Sequence, residues 1–274
     1  MDAAALSAIA AETVAICAAG TYTTPAGTTV DLRSSLAAAI AGTQIRDPRN
    51  LLVQPIRPRP TATPITVVPE STLDAIRHLA APGRHTAALN FASARNPGGG
   101  FLHGTVTQEE SLAYASGLHA CLSSVPEFYA RGRAGNALYP DLVIWSPNVP
   151  FFRDPWHNLV ETPVTASVIT AAAPNAAALR LSDPGLLPGV TPALGRRIEM
   201  ILALAAEHEV DCLILGAWGC GVFGNDPAVV ARLFARALGP GGPYHQAFAQ
   251  VVFAIPDRGD STVGRLFARA LAQD

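Results

Sequence analysis

At 274 residues, 49% of them apolar and with a formal charge of −2, the chain has ample material for a buried core and no surplus of positive charge. With a pI near 6.4, that balance excludes a general nucleic-acid surface, so a polyanion has to be met by a local site. All nineteen basic residues are arginine, which excludes a Schiff-base lysine and a Walker-type phosphate loop.

In chain order, residues 3–19 place Leu6, Ile9, Ala10, Thr13, Val14 and Cys17 at helical spacing and end at Gly20, so an amphipathic helix is predicted with a glycine just past its C-terminus. Thr21–Leu32 has β-branched runs on both sides of a Pro-Ala-Gly turn and reads as a hairpin, with a short helix over Ser34–Ala41. Pro48–Pro64 carries prolines at 48, 55, 58, 60 and 64 among arginines and reads as an extended connector. Residues 1–62 are therefore expected to form an N-terminal helical extension packed on a main domain of residues 63–274. The first residues include Asp2 and Glu12 and lack a basic leader, so no signal peptide is expected, and every long apolar run is broken by Pro, Gly or charge. The expected location is the cytoplasm. Cysteines 17, 121, 212 and 220 form no Cys-x-x-Cys pair, and no metal site is expected.

From residue 64 strands and helices alternate. Strands are predicted at Ile65–Val68, Thr86–Ala92, Leu142–Trp145, 164–169, Cys212–Leu215 and Val251–Ile255, and helices at Ser71–Ala80, 109–123, 192–208, 227–238 and 261–272. This order predicts an α/β fold, a mostly parallel or mixed sheet with helices on both faces, whose ligands bind outside the carboxyl ends of strands.

Two such ends lead into glycine-rich loops. The first is Asn96-Pro-Gly-Gly-Gly, a seven-residue spacer, then Gln108-Glu109-Glu110 running into a helical stretch. Three consecutive glycines suit a loop whose backbone approaches a ligand closely, and two carboxylates at its end point to acid chemistry on a polar substrate. A structural alternative stands beside this one: Thr107 and Glu110 have the spacing of a capping box. The two differ in ionisation, since a capping carboxylate is held charged and a general acid must carry its proton near neutral pH.

The second loop is Gly216-Ala-Trp-Gly-Cys-Gly-Val-Phe-Gly-Asn-Asp226, ahead of Pro227 at the first position of a helix that Asn225 or Asp226 can cap. Its glycines expose backbone N–H groups to an anion and make it a candidate phosphate cradle; the alternative is a tight strand-to-helix turn without a ligand. Gly219-x-Gly-x-x-Gly224 also satisfies the dinucleotide fingerprint, but residues 227–256 hold no acidic residue for the ribose hydroxyls, so that reading is rejected.

The Gly-Gly-Gly to Gln-Glu-Glu spacing, the downstream Gly-Ala-Trp-Gly-Cys-Gly-Val-Phe-Gly-Asn-Asp and the segment with Glu12-Thr, Gly20-Thr-Tyr and Asp31-Leu-Arg together resemble the bacterial-type poly(ADP-ribose) glycohydrolases over nearly the whole chain. The resemblance implies a macrodomain-like three-layer α/β/α fold with a mixed central sheet. It implies poly(ADP-ribose) or ADP-ribosylated protein as substrate, ADP-ribose as product, and no cofactor or metal. Carried over residue by residue, it implies Glu110 as catalytic acid and Glu109 as the partner that orients the ribose. Asn96 and Gly98, Gly99 and Gly100 would touch the distal ribose and the diphosphate, Gln108 belongs to the motif, and Gly219, Cys220, Gly221, Val222 and Phe223 would hold the phosphates, Phe223 against the adenosine side. Neighbours on a helical turn point about 100° apart, so Glu109 and Glu110 cannot flank a sugar as the paired carboxylates of other glycosidases do. One glutamate is thus expected to act as both acid and base. A non-catalytic ADP-ribose reader and a mono-ADP-ribosyl hydrolase remain as alternatives.

Overall fold

The computed structural model describes residues 1–50, 58–256, 259 and 262–272. The predicted connector falls partly outside these residues, at 51–57, as does the first residue of the predicted last helix, Ser261.

Helix α1 (Ala3–Ala19) is capped by the Asp2 side chain, which accepts from the Ala5 N–H at 2.8 Å, and ends at Gly20, whose φ of 69° is the left-handed turn anticipated for it. Its inward stripe is Leu6, Ala10, Thr13 and Ile16, while Val14 faces solvent. An alanine-rich helix is apolar nearly all round, so its periodicity could not choose the buried face; packing of Ile16 with Tyr22, Leu32 and Phe152 chose it. The hairpin of β1 (Thr21–Thr23) and β2 (Thr29–Asp31) and helix α2 (Arg33–Ala41) follow as expected. The sequence analysis missed β3 (Gln44–Arg46), which precedes residue 63 and yet forms one edge of the central sheet.

That sheet has seven strands in the order β3, β6 (Val143–Arg153), β7 (Leu159–Ala171), β5 (Thr86–Phe91), β8 (Cys212–Leu215), β9 (Gln250–Ala254) and β4 (Ile65–Val68). The first two pairings are antiparallel and the remaining four parallel, so the sheet is mixed. Alternation along the strands separates two cores. Ala87, Leu89, Val143, Trp145, Leu213 and Leu215 face α8 (Val190–Glu207), α9 (Pro227–Leu238) and α10 (Thr262–Leu271). Ala88, Ile144 and Ile214 face the other way, onto α3 (Thr72–Leu79), α4 (Gln108–Ala115), α5 (Leu118–Ser123) and α6 (Pro126–Ala134). The result is the three-layer macrodomain-like architecture.

Several further elements differ from expectation, β7 among them, which runs beyond the predicted 164–169 at both ends. The helix predicted over 109–123 is two helices, because Ser116 is extended and bridges to Phe151 while the Gly117 N–H donates to Pro150 O at 3.0 Å. Strand β6 continues past Pro147, where a register shift between Ser146 and Val149 absorbs the missing donor, and past Pro150, which stays in register with Thr165. Helices α6 and α7 (Ala176–Ser182) were not foreseen, being short and interrupted by arginine and polar residues.

Candidate active site

The carboxyl ends of β4, β5, β8 and β9 open on one cavity of about 980 Å³. Asn96, Gly99, Gly100, Gln108, Glu109 and Glu110 line one wall, and Gly219, Cys220, Gly221, Val222 and Phe223 line another. The two loops singled out from sequence therefore meet in a single space.

The first loop is built on turns. Gly98 and Gly99 have φ of 69° and 62°, a left-handed pair that residues with a side chain adopt only at a cost. The Gly99 N–H donates to Asn96 O at 3.0 Å and the Phe101 N–H to Gly98 O at 3.1 Å, leading into a 3-10 turn at Phe101–His103. Phe101 is fully buried, with ring centroids 5.0 Å from both Tyr114 and His119, and the Tyr114 hydroxyl donates to Phe101 O and Thr105 O at 3.1 and 3.0 Å. Helix α1 supports the loop from behind, its Leu6 and Ala10 packing with Phe101, Ala113 and Tyr114. Gly98 does not join the cavity lining: its N–H is turned to the Glu109 carboxyl, and its α-carbon faces His119 and Ala113.

Glu109 and Glu110 are both buried and point apart. Glu109 turns toward β5, where Oε1 accepts from Asn90 Nδ2 at 3.2 Å and Oε2 from the Ser93 N–H at 2.6 Å. Burial pushes its carboxyl up to about 8; the Ser93 and Asn90 donors oppose that rise and the neighbouring Glu110 adds to it. Glu110 turns toward the glycines, its Oε1 accepting from the Gly100 N–H at 2.8 Å and its Oε2 from the Thr107 N–H at 2.8 Å, with the Thr107 hydroxyl also on Oε2. The capping box is thus formed. It does not exclude chemistry, because Glu110 lines the cavity and a hydroxyl can donate to a carboxylate or accept from a carboxylic acid.

Gln108 lines the cavity, but its amide is committed inside the protein. Oε1 accepts from the Phe91 N–H at 2.8 Å, and Nε2 donates to Leu89 O at 2.8 Å and to Thr72 Oγ1 at 3.0 Å. The residue straps the start of α4 to the end of β5 and to α3.

The second loop is also held from within. Trp218 is fully buried and donates to Ala171 O at 2.9 Å; Asn225 Nδ2 donates to Pro174 O and Gly219 O, both at 2.9 Å; and Asp226 caps α9 at the Ala228 N–H. Among the described residues the N–H groups of Gly219, Gly221, Val222 and Phe223 take no hydrogen bond within the protein. Unpaired backbone donors on a glycine-rich turn ahead of a helix are the kind of group that suits an anion. Burial pushes the Cys220 thiol up to about 12, so it stays protonated near neutral pH. The described residues contain no cluster of three or more His, Cys, Asp or Glu side chains that could hold a metal ion.

Sequence reasoning missed Asn90, although an asparagine inside the otherwise apolar run Thr86–Phe91 is a legible sign of a buried polar role. It also missed the lining from the end of β4 and the start of α10, which lie about 200 residues apart in the chain and carry no motif.

A mixed sheet between helices, with a glycine-rich turn at its strand ends and two buried carboxyls on the same cavity, is the architecture of a macrodomain-class hydrolase. The family model for the microbial-type PARG catalytic domain matches residues 10–154, and the chain belongs to that family. Its structure is similar to the crystal structure of poly(ADP-ribose) glycohydrolase from Thermomonospora curvata, with 44% identity over 97% of this chain and 99% of that one and a TM-score of 0.90. The same organism's enzyme bound to the inhibitor ADP-HPD matches at 45% identity, 97% and 98% coverage and a TM-score of 0.89. Poly(ADP-ribose) glycohydrolase from Deinococcus radiodurans in complex with ADP-ribose matches at 43% identity, 86% and 96% coverage and a TM-score of 0.79. No curated protein sequence matches the chain.

Proposed function

We infer that this chain is a glycosidase that hydrolyses the ribose–ribose O-glycosidic bonds of poly(ADP-ribose) and releases ADP-ribose. The observation that carries this is the meeting of the glycine-rich turn at Gly219 to Phe223 and two buried carboxyls, Glu109 and Glu110, on one cavity large enough for a nucleotide sugar. In this proposal Glu110 protonates the ribose oxygen that leaves the anomeric carbon. The diphosphate in the cradle stabilises the oxocarbenium-like ion, and the Glu110 carboxylate then activates water from the same side. Glu109 orients the ribose hydroxyls, Asn96, Gly99 and Gly100 meet the distal ribose and diphosphate, and Phe223 flanks the adenosine. Gln108 serves the reaction by holding the start of α4.

One observation favours a second assignment within the same activity. Glu109 is the carboxyl that burial pushes to about 8, so it holds a proton at neutral pH and could be the donor. Glutamine variants at each position, assayed for ADP-ribose released from polymer, separate the two: the donor's variant loses turnover while keeping ADP-ribose affinity, and the orienting residue's variant loses both. A reader releases nothing from polymer, and a mono-ADP-ribosyl hydrolase acts on modified protein and leaves polymer intact. We further propose that α1, ahead of residue 63, buttresses the catalytic loop while β3 belongs to the catalytic domain's own sheet, and that the enzyme works in the cytoplasm, where its four free cysteines stay reduced.

A further inference from the structure

A third loop, residues 136–141, carries no motif, yet it is fastened to the cavity wall by the most deeply buried cation of the described structure. Arg197, on α8, is fully buried. Its Nη2 donates to Leu138 O at 2.5 Å and Tyr139 O at 2.6 Å, its Nη1 to Ala172 O at 2.8 Å, and its Nε to Asp141 Oδ1 at 3.1 Å. The guanidinium thus ties this loop to the end of β7. The Asn175 N–H donates to Ala137 O at 2.8 Å, and two residues on the Ala177 N–H donates to Phe223 O at 3.0 Å. Three chain segments, 136–141, 172–177 and 219–225, form one hydrogen-bonded block.

Within that block Tyr139 has a φ of 58°, a left-handed conformation unusual for an aromatic residue, and Pro140 follows, which pushes the residue before it toward extended backbone. Such a conformation persists only where its surroundings over-determine it, and such sites cluster where a side chain must be aimed. Arg197 supplies the constraint. The aim is toward Phe223: the two ring centroids are 6.2 Å apart, tilted at 45°, within the range of favourable aromatic pairing. Phe223 lines the cavity and Tyr139 does not.

We propose that Tyr139 is a positioning residue for ADP-ribose recognition, braced by Arg197 and acting through Phe223. This rests on the assignment of Phe223 to the adenosine side. None of Arg197's hydrogen bonds goes to the carboxyl pair, so its brace reaches the ligand through the 219–225 loop.

The test is a double-mutant cycle read by calorimetric titration with ADP-ribose, with polymer turnover and melting temperature measured on each preparation. Phe223→Ala should weaken ADP-ribose binding by about fivefold or more. Tyr139→Ala should weaken it about two- to tenfold, with kcat within about twofold of the parent. The double variant should bind within about twofold of Phe223→Ala alone, because a brace has nothing left to hold. Tyr139→Phe should restore parental binding, and Tyr139→Leu, which keeps bulk without a planar ring, replaces the alanine variant if that one fails to fold. Tyr139 variants that bind like the parent, losses that multiply in the double variant, or a fall in kcat at unchanged affinity would each overturn the proposal. If Phe223→Ala itself binds normally, the assignment of Phe223 is what fails, an outcome distinct from weakened Phe223→Ala beside an inert Tyr139→Ala.

Discussion

Asn90 reaches Glu109 from inside the sheet, its Nδ2 donating to Oε1 at 3.2 Å while also donating to Thr170 Oγ1 at 3.2 Å. A wholly buried amide thereby meets a carboxyl that burial has already raised from 4.5 to about 8. A carboxyl that is easier to protonate folded than unfolded contributes full stability below pH 4.5. That contribution fades as pH rises toward 8, by a total on the order of 5 kcal/mol. Melting temperature should therefore decline between about pH 5 and pH 8, and Glu109→Gln should flatten the slope whatever it does to the absolute value. An unchanged slope in that variant would show that another group sets it.

The same carboxyl should mark the pH profile of kcat/KM. If the protonated form of Glu109 is the working one, the profile falls above about pH 8. Asn90→Ala removes a donor that favours the charged form, so the falling limb should move to higher pH. A limb that stays in place while the melting temperature drops would make Asn90 a packing residue only.

For Glu110 the contact set predicts a modest folding cost and a large chemical one. Glu110→Gln replaces one of two accepting oxygens with an NH₂ group that meets a backbone donor, either Gly100 or Thr107, at a cost of about 1–2 kcal/mol. Release of ADP-ribose from polymer should fall by about 10²-fold or more, with ADP-ribose still bound. Turnover near the parental rate in a folded sample would remove Glu110 from the chemistry.

Gly99 separates backbone strain from steric collision when compared with Gly27. Both have left-handed φ, 62° and 85°, but a β-carbon at Gly27 meets nothing, whereas one at Gly99 collides with Glu110 Oε1 and comes within 3.0 Å of Glu109 Oε2. Gly27→Ala should cost about 1 kcal/mol of stability and leave turnover alone. Gly99→Ala should cost more and abolish most turnover by displacing the carboxyls themselves. Equal kinetic behaviour of the two variants would refute this account.

Gln108 divides binding from support. Gln108→Ala breaks three hydrogen bonds to Phe91, Leu89 and Thr72, at a cost of about 2–3 kcal/mol, and should lower kcat through a misplaced α4 with little change in ADP-ribose affinity. A large loss of affinity at unchanged kcat would instead assign it to the ligand.

How legible these features were in sequence follows the range of the interactions behind them. Gly20, Asp226 and Pro227 act on their own helix ends, and the Thr107 and Glu110 capping pair spans three residues, so spacing alone disclosed them. The break at Ser116 depends on Phe151, the face of α1 on Tyr22 and Phe152, and the posture of Tyr139 on Arg197 some sixty positions away. The predicted strand Leu142–Trp145 stops short of Pro147, whereas β6 runs on because its pairing with β7 shifts register there. The carboxyl pair was visible as a motif; the burial that raises Glu109 comes from tertiary packing and was not visible.

The pairing of β4 with β9 joins Ile65 to Val251, and the cavity's lining runs from Val67 to Ala268. The catalytic motif is synthesised well before the part of the lining that β9 and α10 supply. Closing so long a loop is entropically costly until the parallel ladder and α10 reward it, which makes this step a slow one. The glutamates are therefore made before the pocket they serve can close.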